Sequence, residues 1–293
     1  MKLRHIPFTK MNGLGNDFVI IDARARPIRL SAATAGAIAD RTKGAGCDQV
    51  IVLHPSDAAD VFMRILNADG SEVSACGNAS RCVAALLYPE LGRRRVTIET
   101  RAGVLDAQVA ANGLVTVDMG RPRFEWNEIP LAEFCEDTRA IDLTYALPDG
   151  RVLERPSVVN VGNPHCIFWV EDAEAYDLAS FGGALEHHPL FPERANISLA
   201  QVKNQGAIKL RVWERGTGIT RACGTAACAT AVAAVRTGRT GRRVAVEQPG
   251  GVLTIEWREA GGNIFMTGPA QFEFEGVLHF NGDGSLAEVT RQS

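Results

Sequence analysis

The sequence predicts an α/β (α+β) protein of two similar halves, and three observations carry that expectation. The stretch "ACGNASRC" (75 to 82) is answered by "ACGTAACA" (222 to 229), a shift of 147 residues. Apolar, β-rich runs recur around both copies. Each Ala-Cys-Gly then opens an Ala-rich segment with the composition of a helix.

The strands come first. In the first half "FVIIDA" (18 to 23), "VFMRIL" (61 to 66) and "VTIET" (96 to 100) are short and rich in β-branched and aromatic residues. Their counterparts are "CIFWVED" (166 to 172), "IKLRVW" (208 to 213) and "VAVEQPGGVLTIEW" (244 to 257). The helices follow each Cys-Gly: "ASRCVAALL" and "TAACATAVAAV" lack Gly and Pro and are apolar on nearly every face, as suits a helix enclosed by sheet. That places Cys76 and Cys223 at the N-termini of buried helices.

The register is sustained. At the same shift "GNDFVI" (15 to 20) falls on "GNPHCI" (162 to 167) without a gap. Further on, Gly103 aligns with Gly251 and Gly120 with Gly268 at a shift of 148, as a one-residue insertion produces. Twice the shift nearly spans the 293 residues, which points to internal duplication.

Composition excludes several classes. A net charge of -3, with 22% charged and 46% hydrophobic residues, describes an ordinary globular protein and leaves partners to be argued from sites. The basic runs "GRRRV" (92 to 96) and "RTGRTGRRV" (236 to 244) lack aromatic interleaving and read as solvated surface, so no nucleic acid is expected. The opening "MKLRHIPFTKM" has no apolar signal core, and no stretch approaches the about 18 uncharged apolar residues of a membrane span. A cytoplasmic protein without a membrane partner is expected. Seven cysteines, an odd number, argue against a disulfide framework.

The duplicated thiols carry the chemistry. A helix N-terminus offers unpaired N-H groups and partial positive charge, which stabilise a thiolate and bind a carboxylate. A thiol of reference pKa about 8.5 thereby becomes reactive near neutrality. Structural cysteine, disulfide partner and metal ligand are the plainer readings. The register separates them: Cys76 aligns with Cys223, whereas Cys82 aligns with Ala229 and Cys228 with Arg81. No spacing fits zinc, so no metal is expected. Two thiols at equivalent positions of facing lobes suit removal of a proton from one face of a carbon and its return to the other, which is racemisation or epimerisation. Backbone N-H groups of Gly77, Asn78, Gly224 and Thr225 would cradle the substrate's α-carboxylate and the charge that develops on it.

The motifs "KMNGLGNDF" (10 to 18), "GCDQ" (46 to 49), "NADGSEVSACGNASRC" (67 to 82), "VGNPHC" (161 to 166), "ERANI" (193 to 197) and "WERGTGITRACGTAAC" (213 to 228), in this order, resemble the diaminopimelate epimerase family over essentially the whole chain. The resemblance implies two pseudo-symmetric lobes, each a curved mixed β-sheet or barrel around a central helix. Residues 1 to 121 with 271 to 293 would form one lobe and 122 to 270 the other, with the active site in the cleft between them. It implies interconversion of L,L- and meso-diaminopimelate by Cys76 and Cys223, no cofactor, a small-molecule substrate and a possible homodimer.

By the family's pattern Asn16, Gln49, Asn67, Asn163, Asn196, Glu214 and Arg215 would contact substrate, largely at its distal amino-carboxylate end. An Arg grips a carboxylate through two N-H groups, and a Glu pairs with an ammonium. The same shift of 147 aligns Gln49 with Asn196 and Asn67 with Glu214. His165 and Glu214 resemble the residues that tune the cysteine pKa values. The chain departs from the family's common residues at Asn12, Cys47, Ile219 and Arg221, and at Ala79 and Ala226, which replace Gly in both copies. A proline or hydroxyproline racemase-type epimerase, and a non-catalytic amino-acid-binding or redox-switch protein, are the alternatives.

Overall fold

A computed structural model describes residues 5 to 292. The chain divides into two compact units: unit 1 comprises the chain through Val117 and from Gly268 onward, and unit 2 runs from Asp118 to Thr267. Each is a mixed sheet with two α-helices.

Unit 1 begins with β1 (His5–Asn12), β2 (Asp17–Asp22), α1 (Ala32–Ala39), β3 (Gln49–His54), β4 (Val61–Asn67), β5 (Glu72–Val73), α2 (Gly77–Leu91), β6 (Arg95–Thr100), β7 (Gly103–Val109) and β8 (Val115–Asp118). Its strands run in the order β1-β2-β3-β4-β6-β7-β8, with β2/β3 and β4/β6 parallel and the other pairs antiparallel. The parallel pairs need crossovers, and α1 and α2 lie in those connections.

Unit 2 opens with a small hairpin, β9 (Thr144–Ala146) and β10 (Val152–Glu154). It continues through β11 (Ser157–Asn160), β12 (Pro164–Trp169), α3 (Leu178–Glu186), β13 (Asn196–Asn204), β14 (Ala207–Glu214), β15 (Gly218–Ile219), α4 (Gly224–Arg236), β16 (Arg243–Gln248), β17 (Gly251–Trp257) and β18 (Ile264–Gly268). The order β11-β12-β13-β14-β16-β17-β18 again has two parallel pairs, β12/β13 and β14/β16. The chain then returns to unit 1 as β19 (Gln271–Phe280), which pairs with β1, and β20 (Leu286–Gln292), which pairs with β19.

The repeat is therefore structural. Strand β12 lies residue for residue 147 positions beyond β2, α4 starts 147 beyond α2, and β17 lies 148 beyond β7. Gly15 and Gly162 hold φ of 81° and 102°, a left-handed conformation that disfavours other residues, which accounts for Gly in both copies. The cores repeat as well. Val19, Ile21, Ile38, Val50 and Val52 are buried in unit 1, and Cys166, Phe168, Leu185, Ile197 and Leu199 occupy the corresponding core in unit 2. Cys166 thus packs as a small apolar residue, and burial raises its thiol pKa.

All six runs expected to be strands are strands, and "VAVEQPGGVLTIEW" divides into β16 and β17 at the Gly250-Gly251 turn. Helix α2 runs further than its Pro-free segment, taking Pro89 into its last turn before Gly92 ends it with φ 64°. It packs on β6 and β7, and α4 packs on β11 to β14, β16 and β17. Every residue of α4 from Ala226 to Ala234 is buried, six of them alanines, so the sheet can approach its backbone closely. Two helices lie in segments that the sequence analysis leaves unassigned. One, α1, is capped by Ser31, whose hydroxyl accepts from the Thr34 N-H at 3.1 Å. The other is α3. Among the described residues no helix is long and apolar enough to cross a membrane.

Candidate active site

In unit 1 Cys76 is the N-cap of α2, with extended φ and ψ of -148° and 109°. It is half-buried. The first intrahelical bond behind it runs from the Ser80 N-H to the Cys76 carbonyl, so the N-H groups of Gly77, Asn78 and Ala79 have no intrahelical acceptor. The Cys76 Sγ lies 3.9 Å from Asn16 Oδ1, which also accepts from Asn78 Nδ2 at 3.5 Å. Asn16 is fixed from behind, its Nδ2 donating to Asp48 Oδ2 at 2.8 Å. Asn78 is fixed by Arg81, whose Nη1 donates to Asn78 Oδ1 at 3.0 Å and whose Nε donates to the Pro269 carbonyl at 3.1 Å. That guanidinium is fully buried.

Gln49 and Asn67 face one another across β3 and β4 and form a second pair, Gln49 Nε2 donating to Asn67 Oδ1 at 2.9 Å. The Gln49 Oε1 is buried without a hydrogen-bond partner among the described residues.

In unit 2 Cys223 is the N-cap of α4, with φ and ψ of -129° and 115°, and is only 5% exposed. Its N-H donates to Gln248 Oε1 at 2.8 Å. The Sγ lies 3.4 Å from Thr225 Oγ1, and Asn163 Nδ2 donates to that same hydroxyl at 3.4 Å. His165 Nε2 is 2.8 Å from Asn163 Oδ1, so this ring nitrogen is the donor. The connection from His165 to the sulfur therefore passes through Asn163 and Thr225. Burial pushes His165 down to about 3, which leaves a neutral imidazole. Burial, then the Glu214 carboxylate, push the Cys223 thiol well above its ordinary value. Glu214 itself accepts from the Thr220 hydroxyl.

Asn196 is largely spent on structure, its Nδ2 donating to the Pro164 carbonyl at 2.9 Å and its Oδ1 accepting the Arg215 N-H at 3.0 Å. The Arg215 guanidinium donates to the Glu193 carbonyl at 2.9 Å. None of the seven cysteines is in a disulfide, and burial pushes Cys82 up to about 12, the behaviour of an inert packed residue.

Asn16, Cys76 and Asn78 thus meet in unit 1, and Asn163, His165, Cys223 and Thr225 meet in unit 2. Sequence reasoning missed Asp48, Arg81, the Thr225 hydroxyl and Gln248. Asp48 lies inside the quoted "GCDQ" and Arg81 inside "ACGNASRC", so neighbourhood was a signal for both. Gln248 aligns with Thr100 at the shift of 148, and nothing in the sequence marks it.

Comparison with known proteins gives the family and the fold. The family model described as diaminopimelate epimerase matches residues 8–125 and 157–273. The chain is 52% identical over 277 residues to a diaminopimelate epimerase of Rhodopseudomonas palustris (strain BisB18), covering 94% of this chain and 95% of that protein. It is 53% identical over 274 residues to one of Brucella anthropi, covering 92% and 91%. Among solved structures, a hydroxyproline epimerase from Agrobacterium vitis superposes with TM-score 0.67 at 16% identity, covering 97% of this chain and 96% of that one. A PhzF-family phenazine biosynthesis protein of Enterococcus faecalis gives TM-score 0.69 at 14% identity, covering 94% and 100%. These distant likenesses concern the fold, a duplicated α/β architecture, while the sequence matches decide the family: the chain belongs to the diaminopimelate epimerases, and is an isomerase by descent.

Proposed function

We propose that this protein interconverts L,L- and meso-diaminopimelate, with Cys76 and Cys223 as the two acid/base groups and no cofactor. The observation that carries the reading is the equivalence of the two thiols: each is the extended N-cap of a helix at the same place in a repeated fold. In the reaction one sulfur, as thiolate, removes the α-proton, and the other, as thiol, delivers a proton to the opposite face; the roles exchange with direction. Negative charge moves onto the α-carboxylate, where the N-H groups of Gly77, Asn78, Gly224 and Thr225 stabilise it.

Asn16, Gln49, Asn67, Asn163, Asn196, Glu214 and Arg215 are assigned to substrate. The buried Gln49 Oε1 supports this, because a substrate ammonium would supply the donor it lacks. His165 and Glu214 are assigned to tuning: His165 through Asn163 and Thr225, Glu214 directly on Cys223. The chemistry requires reduced thiols, which suits the cytoplasm.

The test is incubation of the purified protein with L,L-diaminopimelate in deuterated water under reducing conditions, with α-deuterium followed by mass spectrometry. One deuteron per turnover at the inverted centre is expected. Absence of exchange would sink the epimerase reading, and exchange of proline or hydroxyproline instead would reassign the substrate.

A further inference from the structure

The run "RTGRTGRRV", read from sequence as solvated surface, does not end as such. Arg236 and Arg239 from that run, Arg139 and Arg155 from distant segments, and the Trp169 ring line a concavity of about 520 Å³ in unit 2. None of the residues assigned to the epimerase chemistry lines it.

The charges in this concavity do not balance. Arg139 is tied to Asp137 at 2.9 Å. Among the described residues, Arg155, Arg236 and Arg239 form no ion pair with a carboxylate, and Glu154, the single acid in the lining, forms none with a cation. Arg236 is half-buried: Nη1 donates to the Thr138 hydroxyl at 3.1 Å, and its guanidinium sits 3.9 Å over the Phe124 ring. Burial is the largest influence on its pKa and lowers it, outweighing the Asp137 and Glu125 carboxylates that raise it. Arg239 stacks 4.7 Å over the Trp169 ring, whose Nε1 donates to Ser157 Oγ at 3.0 Å. Both guanidiniums are thereby pre-positioned and keep most of their donors free. Arg155 holds φ of 49°, a conformation costly for a non-glycine residue and most often kept at functional positions.

We propose that this concavity is a binding site for a small phosphorylated anion, a diphosphate-bearing molecule whose oxygens are shared among Arg155, Arg236 and Arg239. Arginine forks match phosphate oxygens two at a time, and three guanidiniums against one acid leave about two positive charges to meet a polyanion. The site is independent of the epimerase assignment and stands if that assignment fails.

The probe is inorganic pyrophosphate, titrated into the full-length protein by calorimetry at low ionic strength, with Trp169 fluorescence as a second readout. One saturable site is expected, weakening as salt rises. The exposed pair R155Q/R239Q should lose at least about tenfold in affinity, because each guanidinium removed takes its charge-assisted hydrogen bonds with it. Its unchanged circular dichroism and melting temperature would show an intact fold. E154Q should bind more tightly, because it removes the one negative charge in the lining. Lack of saturation in the wild type, indifference to R155Q/R239Q, or weaker binding by E154Q would each overturn the proposal.

Discussion

The two units repeat one fold but place opposite charges beside their equivalent thiols. Behind Cys76 the helix buries Arg81, a guanidinium, where unit 2 has Cys228, a neutral thiol. Beside Cys223 stands Glu214, where unit 1 has Asn67. Asn16 answers Asn163 in both, yet its outer partner is the Asp48 carboxylate in unit 1 and the neutral His165 in unit 2. Duplication gave the thiols the same backbone; divergence gave them different fields. In the proposed two-base reaction, where the thiols hold opposite protonation states, such a difference biases which of them is ionised at rest.

Exchanging or deleting the distinguishing groups breaks that comparison. The largest effect is expected for the thiols themselves: Cys76→Ala and Cys223→Ala should each lower epimerase turnover by about 10²–10⁴-fold or more, the scale of a lost acid/base group, with melting curves little changed. Near-normal turnover in either variant would refute the two-base mechanism. Next is Arg81→Met, which leaves Asn78 Oδ1 and the Pro269 carbonyl short of a buried donor and should cost roughly 2–4 kcal/mol in denaturant unfolding. Cys228→Ala, at the equivalent position, should cost only about 1 kcal/mol.

His165 gives a pH-dependent contrast. Its pKa falls from 6.5 to about 3 on folding, so between these values the unfolded chain binds a proton that the native state refuses. The contribution is fully present above pH 6.5 and is lost as pH falls, the loss reaching about 2 kcal/mol by pH 5. His165→Phe, which installs the residue of the equivalent position 18, should flatten the decline of thermal stability between pH 6.5 and pH 5. An unchanged slope would remove His165 as its cause. The smallest and sharpest test is alkylation: limiting iodoacetamide should label half-buried Cys76 before buried Cys223, and Glu214→Gln should speed labelling of Cys223 by relieving the carboxylate's upward push. Peptide mass spectrometry reads both.

Much of the fold was legible because duplication writes each signal twice. A run such as "FVIIDA" is a weak indication alone, but with "CIFWVED" at the same shift it fixed β2 and β12 together. Helices α1 and α3 escaped although they align at the same shift, with Ala32/Ala179, Gly36/Gly183 and Ala37/Ala184 identical and Ser31 an ordinary cap, because each is short and carries glycine inside it, which weakens the helical signal. In the candidate site the positions were legible and the connections were not. Thr225 was chosen for its backbone N-H, while its hydroxyl contact with the Cys223 sulfur depends on a rotamer. Gln248 reaches Cys223 from a strand 25 residues away, which no local pattern encodes. The arginines around Trp169 looked like solvated surface because their neighbours come from other segments.

The return of β19 to β1 has a consequence for synthesis. Unit 2 is one continuous stretch, from Asp118 to Thr267, and can complete its sheet as soon as it has emerged from the ribosome. Unit 1 cannot: its first strand waits for Gln271–Phe280, which lies within the last tenth of the chain. At about 5–20 residues per second that wait lasts on the order of 10–50 seconds. During it β1 has only β2 beside it, and an open strand edge is a template for a second nascent chain. The half made first is thus finished last.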